Sequence, residues 1–216
     1  MRETLEAQNR ALRAQLDELL RQARANEEKL RRLQGLEHRL IGARSLAELL
    51  HLLLGEYPSV FELETASIWL VDRDGLLKHL LAEPDPSEPG AGQLELLQAR
   101  IKLLESADEL PLASAQAWAP RLGAATAPVA QCLFVAHAGR PLRSLAQIPL
   151  MRRGECIGQL NFASADPARY EADAGTEFLS RLGAVIAVCL DSVLNQERLK
   201  QAGITDGLTG VHNRRY

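Results

Sequence analysis

The amino-acid sequence predicts an α+β fold, in which a central antiparallel sheet is flanked by helices and lies between two long terminal helices. Three observations lead to this expectation. A heptad pattern covers residues 1–43, short β-rich runs bounded by turn residues occupy the middle of the chain, and a second helical periodicity covers residues 173–203. The composition, with 46% hydrophobic and 25% charged residues, is typical of a folded protein rather than a disordered one.

Residues 1–43 are expected to form one long helix that pairs with a second copy of the chain. Its apolar positions alternate at spacings of four and three residues, which is the pattern of a left-handed coiled coil. Asparagine at such positions fixes register and strand number. We therefore predict a parallel homodimer, and the alternative is an arm that folds back on its own domain. The predicted seam of this helix includes Leu5, Asn9, Leu12, Leu16, Leu19, Leu30 and Leu33.

The predicted sheet lies between residues 44 and 170, within a domain that we place at residues 44–203. Its elements are recognised from β-rich runs, from Gly and Pro turns, and from helical periodicity. In chain order, we expect a helix over 46–54 capped by Ser45, strands over 65–71 and 76–81 joined by a tight turn, a Pro-rich loop over 83–92, helices over 93–105 and 113–121, and strands over 132–136, 145–151 and 156–162.

The last of these strands has one apolar face and one partly polar face. Gln159 and Asn161 share the polar face, because successive side chains of a strand point to opposite sides. We expect any small-molecule pocket on this face, roofed by the 93–121 segment and the Pro-rich loop, although outward polar residues are often simply solvated. The alternation places Cys156, Gly158, Leu160 and Phe162 together on the apolar face.

Residues 173–203 are expected to form the final helix, capped by Asp173 or Thr176. Its first half should pack on the sheet, and its more polar second half should leave the domain as a connector. We also assign Ile186 and Val193 to the seam between paired copies, so that this helix would fix the distance between two following domains.

Charge and cysteine usage argue against several functional classes. The formal net charge is −3, which gives no reason to expect a nucleic-acid or membrane surface. Cys132, Cys156 and Cys189 have no Cys-x-x-Cys spacing and stand in apolar neighbourhoods, so we expect three small buried side chains rather than a metal site. Without a signal peptide or an unbroken apolar span, the chain is expected to be cytoplasmic.

The segment from Ser144 to Leu179 resembles the C-terminal half of a GAF domain. The shared features are a strand ending in Pro149-Leu150, a turn at Gly154, a hydrophobic-Gly strand around Gly158, and a helix leaving the sheet. More narrowly, nearly the whole chain is similar to a GAF-like bacterial family of unknown function. The resemblance implies a sensory domain whose terminal helices lie opposite a small-molecule pocket. The signatures of the bilin-binding and cyclic-nucleotide-binding members are not found, so the ligand is left open.

Residues 204–216 carry a fixed order of residues, namely Asp206, Leu208, Thr209, Gly210, Asn213, Arg214 and Arg215. This order resembles the entry segment of a GGDEF domain, the diguanylate cyclase fold. This implies that the chain is the regulatory region of an enzyme that makes cyclic di-GMP from two GTP, with GTP and magnesium bound only by the missing domain. The Gly-Gly-Asp/Glu-Glu-Phe turn does not occur in the chain, so we expect neither catalysis nor a cofactor here. The alternative is a non-enzymatic GAF-like scaffold that binds a ligand or partner.

Overall fold

A computed structural model describes residues 2–112, 118–172 and 175–204 of the chain. For residues 2–11, 14, 25, 26, 29, 33 and 201–204 it describes the helical backbone alone. The chain divides into two compact units, Met1–His38 and Arg39–Tyr216. The GGDEF-entry motif lies outside the described residues, as do Asp173 and most of the predicted helix over 113–121.

Helix α1 runs over Arg2–Gly42 and confirms the long N-terminal helix. Residues of high helix propensity, mainly Leu, Ala, Arg, Glu and Gln, fill it up to Gly35. Within the first unit, its leucine stripe faces solvent, because Leu12, Leu16, Leu19 and Leu30 are 64, 55, 62 and 53% exposed. Pairing with a second copy stays a prediction, and the side chains of Leu5, Asn9 and Leu33 lie outside the described set.

The second unit begins with a helical layer rich in buried leucine. Helix α2, Leu46–His51, is capped by Ser45, whose Oγ accepts a hydrogen bond from the Glu48 amide at 3.1 Å. A π-helical turn over Leu52–Glu56 joins α2 to α3, Tyr57–Val60. The predicted end at residue 54 is therefore too early. Pro58 lies in the first turn of α3, where proline is tolerated, and so it does not end the helix.

Five strands form one sheet in the order β2-β1-β5-β4-β3. Neighbouring strands are antiparallel except β1 and β2, which are parallel. The predicted α+β class, a largely antiparallel sheet flanked by helices, is thus confirmed. The strands are β1 Thr65–Val71, β2 Ile101–Leu104, β3 Arg121–Ala124, β4 Ser144–Arg152 and β5 Glu155–Ser164.

The predicted strand over 76–81 is wrong, because this segment forms helix α4, Leu76–Ala82. The Asp72 carboxylate accepts hydrogen bonds from the amides of Leu77 and Lys78, at 3.0 and 2.9 Å. Gly75 has a φ of 73° at the helix entry, a left-handed conformation that glycine adopts without strain. The Asp-Arg-Asp-Gly sequence therefore starts a helix instead of turning a hairpin.

Two further elements differ from the expectation. The predicted helix over 93–105 ends early: α5 covers Ala91–Leu97, a 3₁₀ turn covers Gln98–Arg100, and β2 comes next. The predicted strand over 132–136 is wrong, because helix α6, Ala127–Leu133, which has proline in its first turn, ends within this segment and residues 134–136 belong to no strand. In both places a short apolar run does not by itself separate helix from strand.

Helix α7, Glu177–Ile204, packs against β4 on one face of the sheet. Gly183 permits the close approach, because a Cβ there would stand 2.8 Å from the carbonyl oxygen of Pro149. Ile186 and Val193 are 0 and 1% exposed within the single chain. Their assignment to a seam between two copies is therefore corrected, since both already belong to the core of their own domain.

Candidate functional site

Four neutral polar side chains form a row across the sheet, on the face opposite α7. Ile148 meets Gly183 of α7, so the residues that alternate with Ile148 and its partner Leu160 point to the other side. Asn161 of β5 stands opposite both Ser67 of β1 and Gln147 of β4. We call Ser67, Gln147, Gln159 and Asn161 the polar row.

Hydrogen bonds run through the polar row in one direction. The amide of Leu112 donates to Gln159 Oε1 at 3.2 Å, Gln159 Nε2 donates to Asn161 Oδ1, and Asn161 Nδ2 donates to Ser67 Oγ at 3.2 Å. This series of hydrogen bonds thus connects the segment before residue 113 to β1. The hydrogen bonds fix the orientation of each side-chain amide. If one amide were flipped alone, its NH2 group would face another donor or its oxygen would face another acceptor.

The polar row is buried. Gln159 and Asn161 are 0% exposed, and Ser67 and Gln147 are 2 and 4% exposed. This excludes the interpretation of Gln159 and Asn161 as solvated surface residues. A buried polar group left without a partner costs about 1–3 kcal/mol, so the hydrogen bonds are what makes this burial tolerable.

Apolar side chains surround the polar row on the same face. Trp69 of β1 is paired with Gln159 of β5. The Lys102 ammonium lies 4.0 Å from the centre of the Trp69 ring. A few hydrogen-bonding groups within an apolar wall are typical of small-molecule sites. The buried wall consists of Trp69, Leu104, Leu110, Leu133, Phe134, Leu145, Cys156 and Ala163.

A β-bulge moves Cys156 to this face and away from Leu160, contrary to the simple alternation. The register between β4 and β5 shifts at Leu150 and Met151, so that Met151 pairs with Cys156. Burial raises the pKa of the Cys156 thiol, which donates to the Gly158 carbonyl at 3.2 Å. The thiol is therefore a packed side chain rather than a nucleophile. Cys189 is also buried, whereas Cys132 is exposed on α6, which corrects the expectation of three buried cysteines.

The roof over the polar row differs in part from the prediction. Leu110 and Leu112 are 3 and 1% exposed, and the Leu112 amide donates a hydrogen bond to Gln159. Residues 110–112 of the 93–121 segment therefore cover the row. The Pro-rich loop does not contribute. Its Pro89 carbonyl accepts a hydrogen bond from Ser45 at 3.0 Å, and Gly90 contacts the backbone of Ala47, which places the loop beside α2.

Sequence reasoning identified half of the polar row. Gln159 and Asn161 were recognised because they alternate within one strand. Ser67 and Gln147 were missed, since their membership depends on the pairing of β1, β4 and β5. The available signal is a single amide or hydroxyl within an apolar run, at Ser67 in Thr65–Val71 and at Gln147 in Ser144–Arg152. Whether Gln159 and Asn161 bind a ligand stays a prediction.

Hydrogen bonding is the chemistry that the polar row offers. Carboxamides and a hydroxyl donate and accept hydrogen bonds, but an amide neither exchanges a proton near neutral pH nor attacks an electrophile. Within residues 2–112, 118–172 and 175–204, no group of three or more His, Cys, Asp or Glu side chains could hold a metal ion. The row is thus suited to recognition rather than to reaction. Among the described helices, none is long and apolar enough to cross a membrane.

Comparison with known proteins identifies one family. Residues 3–194 match the family model described as "Protein of unknown function, DUF484". No curated protein sequence matches this chain significantly.

The solved structures similar to the chain include two GAF domains. One is the GAF domain from an Acinetobacter phosphoenolpyruvate-protein phosphotransferase, with 13% identity, a TM-score of 0.44, and coverage of 81% of this chain and 95% of that one. The other is the GAF domain from the phosphoenolpyruvate-protein phosphotransferase of Coxiella burnetii, with 18% identity, a TM-score of 0.45, and coverage of 81% and 96%.

Proposed function

The chain belongs to the DUF484 family, and we propose that it is a regulatory region that binds a small molecule on the face of its sheet that carries the polar row. The observation behind this proposal is the buried hydrogen-bonded row itself. Neutral amides and a hydroxyl, enclosed by Trp69 and aliphatic side chains, suit a compact ligand with its own donors and acceptors.

Ligand entry would act on the roof. The hydrogen bond from the Leu112 amide to Gln159 ties the roof to the row. A ligand that takes over the Gln159 acceptor would release Leu112 and favour an open roof. The protein then responds because the ligand has different affinities for the closed and open states.

The regulated activity that we propose is that of a diguanylate cyclase. Helix α7 leads directly into the residues that resemble a GGDEF entry segment, and in this proposal two copies of the chain hold two cyclase domains at a distance that the regulatory region sets. The exposed leucine stripe of α1 supports a parallel homodimer, because Leu12, Leu16, Leu19 and Leu30 need a partner helix. GTP and magnesium would be bound by the cyclase domain alone, and the protein would work in the cytoplasm.

A ligand- or partner-binding scaffold without a cyclase is the second candidate. It shares the polar row and the paired helices, and it differs only in lacking a cyclase domain after α7. The discriminating observation is whether the reading frame continues past Tyr216 into a Gly-Gly-Asp/Glu-Glu-Phe motif. A frame that lacks this motif refutes the cyclase proposal and leaves the scaffold.

The binding proposal is tested by mass spectrometry of small molecules that co-purify with the protein. The double variant Gln159→Met, Asn161→Leu removes the amides while keeping similar volumes. We expect it to lose a molecule that the wild-type protein and the exposed control Gln93→Leu both retain. The same molecule in equal amount on the double variant would overturn the proposal.

The cyclase proposal is tested by the conversion of GTP to cyclic di-GMP in the full-length protein. With magnesium present, we expect the wild type to be active and the polar-row double variant to lose its response to the co-purified molecule. If that molecule does not change the activity of the wild type, the polar row does not regulate the cyclase.

A further inference from the structure

The two halves of α7 are held to the domain by different forces. Up to Val193 the helix buries Leu182, Ile186 and Leu190 against the sheet, all at 2% exposure or less. Beyond Val193 its described contacts are mainly ionic. Since apolar burial of this extent stabilises far more than exposed ion pairs do, the last turns of α7 are the weakly held part of the helix.

Two loops supply the acidic partners of these last turns. Arg198 binds Asp74 of the turn between β1 and α4, with Nη2 and Nε at 2.8 and 3.3 Å from Oδ2. Lys200 binds Glu88 of the Pro-rich loop at 2.8 Å and Glu197 of its own helix at 2.6 Å. We call the pairs Asp74–Arg198 and Glu88–Lys200 the latch.

The space beside the latch is open. A cavity of about 320 Å³ lies between α7 and the turn before α4, lined by Asp74, Leu76, Leu77, Ile157, Leu194 and Arg198 among others. Side chains in a packed core leave few voids larger than a water molecule. This part of α7 can therefore move away from the domain without opening a packed interface.

We propose that the latch controls whether the last turns of α7, residues 194–204, are docked or released, and so regulates the domain attached after them. The inference rests on the proposed function for the existence and the identity of that domain. Strand β1 connects the latch to the polar row, because it carries Ser67 and ends at Val71, three residues before Asp74. A shift of β1 caused by a bound ligand would displace Asp74 from Arg198.

Weak ion pairs suit the proposed role of the latch. Each latch pair is partly exposed, with Arg198 and Asp74 side chains 47 and 51% exposed, so solvent screens their attraction. A strong contact would need a large difference in ligand affinity to break, whereas a weak one responds to a small difference. The buried first half of α7 would keep the helix attached in both states.

Amide hydrogen exchange on the full chain tests the latch. We expect Arg198→Glu and Lys200→Glu each to speed exchange in residues 194–204 by about two- to fivefold, with residues 177–190 unchanged. The exchanged pair Asp74→Arg with Arg198→Asp should restore the wild-type rate. Ser192→Lys, a new charge on an exposed position of the same helix, serves as the control and should change nothing.

Two results would overturn the proposal. One is unchanged exchange over 194–204 in both single variants. The other is an equal increase along the whole of α7, which would indicate general destabilisation. If the latch opens in the exchange experiment while cyclic di-GMP synthesis stays constant, the regulatory part of the proposal is refuted as well. A full-length protein that makes no cyclic di-GMP would instead refute the proposed cyclase function and leave the docking of α7 by the latch standing.

Discussion

The two faces of the sheet are buried by different means. The face toward α7 is closed by aliphatic and aromatic packing, with Ile148, Leu160 and Phe162 at 0, 0 and 1% exposure and the Tyr57 ring stacked 5.0 Å from that of Phe162. The opposite face buries the polar row under a roof whose Leu112 amide donates a hydrogen bond to Gln159. The first face derives its stability from volume and shape, whereas the second depends on matched donors and acceptors.

The largest effect should come from a cavity on the face toward α7. Leu160→Ala removes a fully buried side chain, and we expect it to lower the free energy of unfolding by about 2–5 kcal/mol. Urea denaturation followed by circular dichroism measures the loss. Leu96→Ala, at a side chain 80% exposed, is the matched control and should change little. Equal effects of the two variants would contradict the contrast between packed and exposed leucines.

An intermediate effect is expected from breaking the polar row at one place. Asn161→Ala leaves the Gln159 Nε2 group without its acceptor, which should lower the free energy of unfolding by about 1–3 kcal/mol. The double variant Gln159→Met, Asn161→Leu removes both amides, and we expect it to be more stable than Asn161→Ala alone. A double variant less stable than Asn161→Ala would show that packing, rather than hydrogen bonding, governs this face.

A smaller effect is expected at the edge of the polar face. Lys102→Met removes the ammonium that lies 4.0 Å from the Trp69 ring centre while keeping an unbranched side chain. The expected loss is about 0.5–1 kcal/mol. Trp69 fluorescence should shift as its surroundings lose a charge. Lys78→Met, on the exposed surface of α4, provides the comparison, and an identical stability change would refute a specific contact.

The smallest effect concerns pH, and it should separate the two faces. Arg39 lowers the pKa of Glu56 at the end of the π-helical turn, with a smaller contribution from His51. A carboxyl pKa that is lower in the folded state than in the unfolded state stabilises the fold at pH values above the unfolded-state pKa. This stabilisation is lost as the pH falls through the folded-state pKa. Between pH 7 and about 3, the protection factors of the amides in α2 and α3, which are the ratios of intrinsic to observed exchange rate, should therefore fall in wild type but less in Glu56→Gln. An equal fall in β5, where the polar row has no titratable side chain, would contradict the local effect.

Local signals in the sequence predict the elements whose structure is set locally. Strands β1, β4 and β5 are recognised because alternation and turn residues lie within each segment. Strand β2 is missed since its four residues become extended by pairing with β1. Helix α4 is missed because its start depends on Asp72 reaching the amides of Leu77 and Lys78.

The candidate site depends on how the strands pair with one another, which the sequence of a single strand does not show. Gln159 and Asn161 share a face by alternation alone, but their partners come from β1 and from Leu112, 94 and 47 residues away along the chain. The bulge that moves Cys156 is equally invisible before β4 and β5 are paired. For α7, the predicted packing of its first half on the sheet is correct, whereas Ile186 and Val193 belong to the core of the same chain rather than to a seam between two copies.

The π-helical turn over Leu52–Glu56 makes one change of chain length tolerable and another not. A π turn holds one residue more than an α-helix needs for the same advance, so deleting one residue here would leave a regular α-helix with the flanking helices in the same phase. An added residue would instead rotate the rest of the helix by about 100°. Tyr57 would then leave the ring of Phe162. We therefore expect a single-residue deletion in this turn to be tolerated and a single-residue insertion not.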